Sequence, residues 1–330
     1  MDFEFIDLLI AFAGGIFGAA IGAFPVWVLC GIAVLIGATV SLTTGSSDFM
    51  NIVAWGHFLG PHTSFAGGCA AAAFAAKKTL IQNGRDICTA LVGLNKPSVL
   101  LIGGVFGCAG YLILYLLSLI PNYSEIAWTN TIALAVILDM FLIRVVFGET
   151  GLFGKVPSGT NRWVPTDERS WLIYQSSPVQ MLLLAIAVGS PAAYLALVLP
   201  GSSGLVFGFV VVSYTFMIMG YKVPVTHHIA LSASMVAAAT GNLAWGISFG
   251  ILAVYLGELC AAMFLSHGDT HIDPPTMALV LTFTIFPILE YLHVFEYSGL
   301  WGWIALCVVA LGGFLVFYML RKVRTGSRLD

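Results

Sequence analysis

Apolar runs about 20 residues long recur from one end of this chain to the other, and that is the length needed to cross ~30 Å of hydrocarbon. Backbone inside lipid must satisfy its own hydrogen bonds, so runs of this kind are read as membrane-crossing helices. Charged residues make up 9% of the 330 and hydrophobic residues 59%, against about 25% charged in an ordinary soluble domain. The sequence therefore predicts an all-α polytopic membrane protein. Crossings are expected at about 5–22, 25–43, 98–120, 128–147, 178–199, 203–220, 276–293 and 299–320. Two further apolar stretches, 46–76 and 226–264, carry polar interruptions.

The 13 Lys and Arg residues then fall on one side. Lys77, Lys78, Arg85 and Lys96 share one loop; Lys155, Arg162 and Arg169 share the central polar stretch; Lys222 follows one span. Arg321, Lys322, Arg324 and Arg328 form the tail, and Arg144 snorkels from the end of its span. The positive-inside rule makes that side cytoplasmic and places the C-terminus there, in the cell's inner (cytoplasmic) membrane. The opposite turns, 121–127, 200–203 and 291–298, hold Glu125 and Glu296 but no Lys or Arg. No basic residue precedes Lys77, so the N-terminus is oriented only by whether 46–76 crosses once or re-enters. MDFEFIDLL places acids where a signal peptide needs basic residues.

Landmarks recur in the two halves. Pro25 and Pro200 follow matching turns, Gly84 and Gly268 sit in matching polar loops, and Pro97 and Pro274 open matching spans. On that alignment about 10 transmembrane segments form two parallel five-segment repeats, each with a broken or re-entrant hairpin, related by an axis along the membrane normal. The first repeat is 1–147, the linker 148–177, the second repeat 178–320 and the cytoplasmic tail 321–330. A competing alignment sets His62 opposite His227. The small-residue runs at 67–73 and 230–240 read as packing seams.

Ionisable groups inside a membrane are costly and mark function. Asp139 lies in mid-span and Glu258 in a later one; both are read as coupling carboxylates for a proton or cation. Gly60-Pro61 breaks the helix just before His62, Thr63 and Ser64, because Pro lacks the amide hydrogen a helix needs. Asn242 holds the corresponding break in the second half. These four are the expected solute-binding residues. His227, His228, Asp269, His271 and Asp273 form a weaker, metal-like set of imidazole and oxygen ligands. Asp273-Pro274-Pro275 reads equally as a helix start.

Six scattered Cys residues form no CxxC pair and read as packing residues. The chain has no GxSxG, HExxH or P-loop motif. No basic run alternates with aromatics, which argues against nucleic-acid binding. The expected function is a secondary transporter (permease) for a small solute or ion. Its partners are the lipid bilayer and the solute, with room for a homo-oligomer and no cofactor identified. Rival readings are a channel or a membrane subunit of a larger complex, and a membrane-embedded metal-binding enzyme.

Overall fold

The computed structural model describes residues 4–122, 127–293 and 300–326. Glu125, Glu296 and Arg328 lie outside the described residues. The described residues contain no strand and eleven α-helices. In the first half these are α1 (Phe5–Ile21), α2 (Ala23–Thr44), α3 (Ser64–Lys77), α4 (Pro97–Ser118) and α5 (Thr131–Phe147). In the second they are α6 (Pro178–Val198), α7 (Ser203–Ile218), α8 (His227–Thr240), α9 (Leu243–Cys260), α10 (Pro274–Tyr291) and α11 (Leu300–Gly326). A π-helical turn, Ala261–Leu265, extends α9. Six helices are long and apolar enough to cross a membrane: α2, α4, α6, α9 with its π turn, α10 and α11. They give the chain the make-up of a multi-pass membrane protein.

Local chemistry sets the helix starts. Pro97, Pro178 and Pro274 occupy first turns, where a missing amide hydrogen costs nothing. Asn130, Ser177 and Asp273 cap α5, α6 and α10 by accepting from Ala133, Gln180 and Thr276 amides. Gly22, at φ +99°, takes the sharp bend between α1 and α2.

The basic residues gather at one end of the bundle. Lys77 donates to the Val146 carbonyl at the end of α5, and Arg162 to Met263 at the end of α9. Arg321 donates to Ser176, just before α6. Helix directions follow from this end. Helices α1 and α4 are antiparallel: Cys108 meets the Leu8 carbonyl, while Gly103 lies against Ala19. Small residues let them touch. A Cβ on Gly67 of α3 would come within 2.5 Å of the Gly103 carbonyl and 2.7 Å of Gly15 Cα. The seam expected at 67–73 is where α1, α3 and α4 meet.

The two interrupted stretches differ. After α2 ends at Thr44, the chain turns back beside it through a π-helical turn, Met50–Ala54. Met50 sits by Gly37, and the Cys30 thiol donates to the Ala54 carbonyl. Residues 55–63 are irregular, and α3 then continues to Lys77 at the basic end. The stretch 46–76 thus passes once from one end to the other, one of the two courses the sequence left open. In 226–264 there is no break in mid-bundle. Gly241, at φ +64°, ends α8, and Asn242 caps α9 by accepting from the Ala244 and Trp245 amides. The polar pair is a turn between two helices at the end away from the basic residues. Parallel halves with matching re-entrant hairpins do not describe this arrangement.

The central polar stretch is folded onto the basic end. Arg144, 1% exposed, is the clasp. Its guanidinium donates to the Thr270 hydroxyl at 2.5 Å and to the carbonyls of Thr270, Phe264 and Leu152 at 2.8, 3.1 and 3.2 Å. Asp269 lies 3.8 Å away and accepts from the Glu149 amide and the Thr150 hydroxyl. Partial burial works to raise the Asp269 pKa, but those two bonds and Arg144 outweigh it and hold it below the ordinary 3.8. A carboxylate depressed on folding stabilises above its unfolded pKa and ceases to as pH falls through its folded one. Melting temperatures should therefore separate wild type from Asp269→Asn at pH 7, and the gap should close on acidification below about 4. Arg144→Met should be far more damaging, because it strands several buried carbonyls at about 1–3 kcal/mol each. A variant that melts like wild type would refute the clasp.

Candidate functional site

Three cavities lie in line through the bundle. A chamber of about 220 Å³ sits between α2, α3, α5, α7, α8 and α10, walled by Trp27, Trp55, Phe65, Val136, Phe207 and Leu279. Toward the end away from the basic residues it shares Asn130, Ile132, Met235 and Phe283 with a vestibule of about 430 Å³. Toward the basic end lies a third cavity of about 300 Å³, whose wall includes Arg85, Glu168, Arg169 and Trp171. The chamber and the basic cavity have four residues in common: Trp27, Phe65, His227 and Asp273. One layer of side chains separates them.

Each member of the layer is fixed by its helix. Trp27 is on the second turn of α2, and Phe65 follows directly on the irregular segment at the start of α3. His227 opens α8, and Asp273 caps α10. The rings interlock: Trp27 packs on Phe65, Phe207 and His227 at centroid distances of 6.0, 5.8 and 5.5 Å. Such edge and tilted contacts hold aromatic rings in place. The Tyr214 hydroxyl accepts from the amides of Thr226 and His227, so its hydrogen points to His227 Nδ1 at 2.9 Å. That fixes His227 as the neutral tautomer with its hydrogen on Nε2. Asp273 binds His271 Nε2 through Oδ1 at 3.2 Å, and accepts from the Thr276 amide and hydroxyl through Oδ2 at 2.9 and 2.5 Å.

A second polar set lies beside the first. Asp139, at the middle of α5, is fully buried, and neither oxygen has a hydrogen-bond partner among the described residues. His62 is equally buried, with both ring nitrogens unpartnered. They meet at Gly110 of α4: a Cβ there would overlap the His62 carbonyl and lie 3.4 Å from Asp139 Oδ2. The His62 ring faces His57 at 6.0 Å, and His57 Nε2 lies 3.8 Å from Asp7 near the start of α1. Cys69 on α3 is within electrostatic reach of both Asp139 and Asp273. Asp7, His57 and His62 thus follow one another from the start of α1 toward α4.

The remaining expected site residues are distributed differently. Thr63 and Ser64 turn their hydroxyls back to the Gly60 and Leu59 carbonyls, shaping the break rather than facing a cavity. Asn242 caps α9 far from His62, so those two do not share a site. Glu258 is half-buried near the basic end, lining a small cavity with Arg321. The metal set also separates: Asp269 belongs to the Arg144 clasp, and His228 packs against Gly257. Among the described residues no three His, Cys, Asp or Glu side chains are grouped as a metal site. Trp27, Trp55, Phe65, Phe207 and Tyr214 went unread in the sequence, since an aromatic inside an apolar run carries no local mark of what it lines.

An unpartnered buried carboxyl lowers stability. Asp139→Asn should melt at or above the wild-type temperature; a clear fall would make Asp139 a structural residue.

One family model matches the chain twice, over residues 1–170 and 164–304: the Family of unknown function (DUF7973). No curated protein and no solved structure matches the chain.

Proposed function

The chain belongs to that family, and we propose that it is a secondary transporter (permease) carrying a small solute across the cell's inner membrane, coupled to proton movement. The observation behind this is the pair of cavities on opposite sides of one thin layer, at Trp27, Phe65, His227 and Asp273. Alternating access needs a central site and a barrier that can be moved to its other side. Here the barrier is a few side chains contributed by both halves of the chain.

The same reading makes the halves inverted repeats. Helix α1 packs on α3 and α4, α3 on α4 and α5, and α4 on α5; likewise α6 packs on α8 and α9, α8 on α9 and α10, and α9 on α10. Helices α2 and α7, which correspond, pack on each other. This pairs Ser64 at the start of α3 with His227 at the start of α8, close to the alignment of His62 with His227. The double family match is in keeping with it. Five passes then turn the second copy over, with α11 as an added eleventh pass. Inverted repeats with a discontinuous helix at the centre are a recurring transporter plan. With the basic end cytoplasmic, residue Glu4 faces outward, and so do the vestibule and Asp7.

Coupling rests on Asp139 and His62, reached from outside through Asp7 and His57. Glu258, beside Arg321 at the basic end, is a poor candidate for that route. The test is cysteine accessibility, in protein whose exposed Cys88 and Cys307 are serine. Ala133→Cys probes the outer chamber and Met217→Cys the basic cavity. A transporter should expose them alternately: a condition that protects one should open the other. Asp139→Asn should abolish the dependence of this exchange on pH. Simultaneous labelling of both, together with ohmic conductance in bilayers, would identify a channel and end the proposal.

A further inference from the structure

The chamber combines an aromatic wall with a single carboxylate. We infer that it binds a small organic cation, a protonated amine or quaternary ammonium group, held between Asp273 and the faces of Trp27, Trp55 and Phe207. This rests on the transporter reading only for the cation being cargo; the binding site stands on its own geometry.

Aromatic rings attract cations through their negative faces, most strongly where water is excluded. Three rings here are mutually packed: Trp27 and Trp55 at 6.5 Å, Trp55 and Phe207 at 5.6 Å, Trp27 and Phe207 at 5.8 Å. Asp273 lines the same chamber. No Lys or Arg lines it, and His227 is neutral by its bond to Tyr214. The arginines that could draw an anion, Arg85 and Arg169, lie beyond the layer. Helix N-termini are the other usual anion site. Three helix starts reach the layer with amides already engaged: Ser64 and Ala66 of α3 on the Gly60 and Pro61 carbonyls, Thr226 and His227 on Tyr214, and Thr276 on Asp273. An anion would thus meet a carboxylate and aromatic faces, with those donors taken. A neutral apolar ligand would leave Asp273 facing only its protein partners, His271 and Thr276.

The experiment uses the full chain in detergent and three ligands of one skeleton: 2-phenylethylamine, 2-phenylethanol and 3-phenylpropanoate, with tetramethylammonium as a fourth. Binding is read by tryptophan fluorescence and by thermal stabilisation. The amine and tetramethylammonium should bind, and the alcohol and carboxylate should be weaker by roughly tenfold or more. Asp273→Asn, which keeps a good helix cap, should weaken the amine by a similar factor and leave the alcohol unchanged. Trp55→Leu should weaken tetramethylammonium while Asp273 remains. Equal binding of amine and alcohol, or preference for the carboxylate, would overturn the inference in wild-type protein alone. If the cations bind with this profile but are not taken up by proteoliposomes, the site stands and cation transport fails. Uptake of another solute without cation binding has the opposite meaning.

Discussion

Everything at the centre of this protein follows from backbone that stops being helical between residues 55 and 63. Away from water, each amide and carbonyl released by such a break must be met by protein. The chain does this locally. The Gly60 amide returns to Gly56, the Thr63 amide and hydroxyl to Gly60, and the Ser64 hydroxyl to Leu59. The Cys30 thiol takes the Ala54 carbonyl from the neighbouring helix. Because the segment is satisfied from within, it can sit at depth and start α3 there. That start places Phe65 at the layer, and His62 just before it against α4.

Close packing makes the second part of the arrangement workable. Gly110 has no side chain, so the His62 carbonyl comes up to α4, and Asp139 reaches the same point from α5. Gly15, Gly67 and Gly103 do the same between α1, α3 and α4. In lipid there is no water to drive helices together, and close van der Waals contact is what remains. That dense wall surrounds a carboxyl and an imidazole with no hydrogen-bond partners among the described residues. On the side toward the start of α1 the His62 ring faces His57, which lies 3.8 Å from Asp7.

Much of the membrane architecture was legible because it rests on run length and on single charges. The basic end assembled as the Lys and Arg positions implied, and Asp139 and His62, which stood out by type in apolar surroundings, are fully buried. The direction of 46–76 was not legible. A Pro-Gly break says only that the helix stops, whereas the side on which the chain resumes depends on Gly15, Gly18 and Gly67 letting α3 slot beside α1. Asn242 misled because Asn after Gly is equally a capped turn, and only the length of α8 places it at the bundle's end. Arg144 was expected to reach for solvent. Instead the carbonyls at the end of α9 and in the 266–273 loop give it partners, and a guanidinium with five donors can use them all.

The layer between the two cavities is built from both halves of the chain. Trp27 and Phe65 come from α2 and α3, His227 and Asp273 from α8 and α10. Their contacts across the halves are mostly ring against ring, Trp27 on His227 and Phe65 on His271. The strong polar bonds stay within one half: Tyr214 with His227, and Asp273 with His271 and Thr276. Parting the halves at this level would break one buried hydrogen bond of the layer, from the Asp273 amide to Met140 Sδ at 3.2 Å, and otherwise ring contact. At the basic end the opposite holds, since Arg144 of α5 is bonded across the halves to Thr270 and Phe264. On the proposed transporter reading, a rocking motion would pivot near Arg144 and open at the aromatic layer.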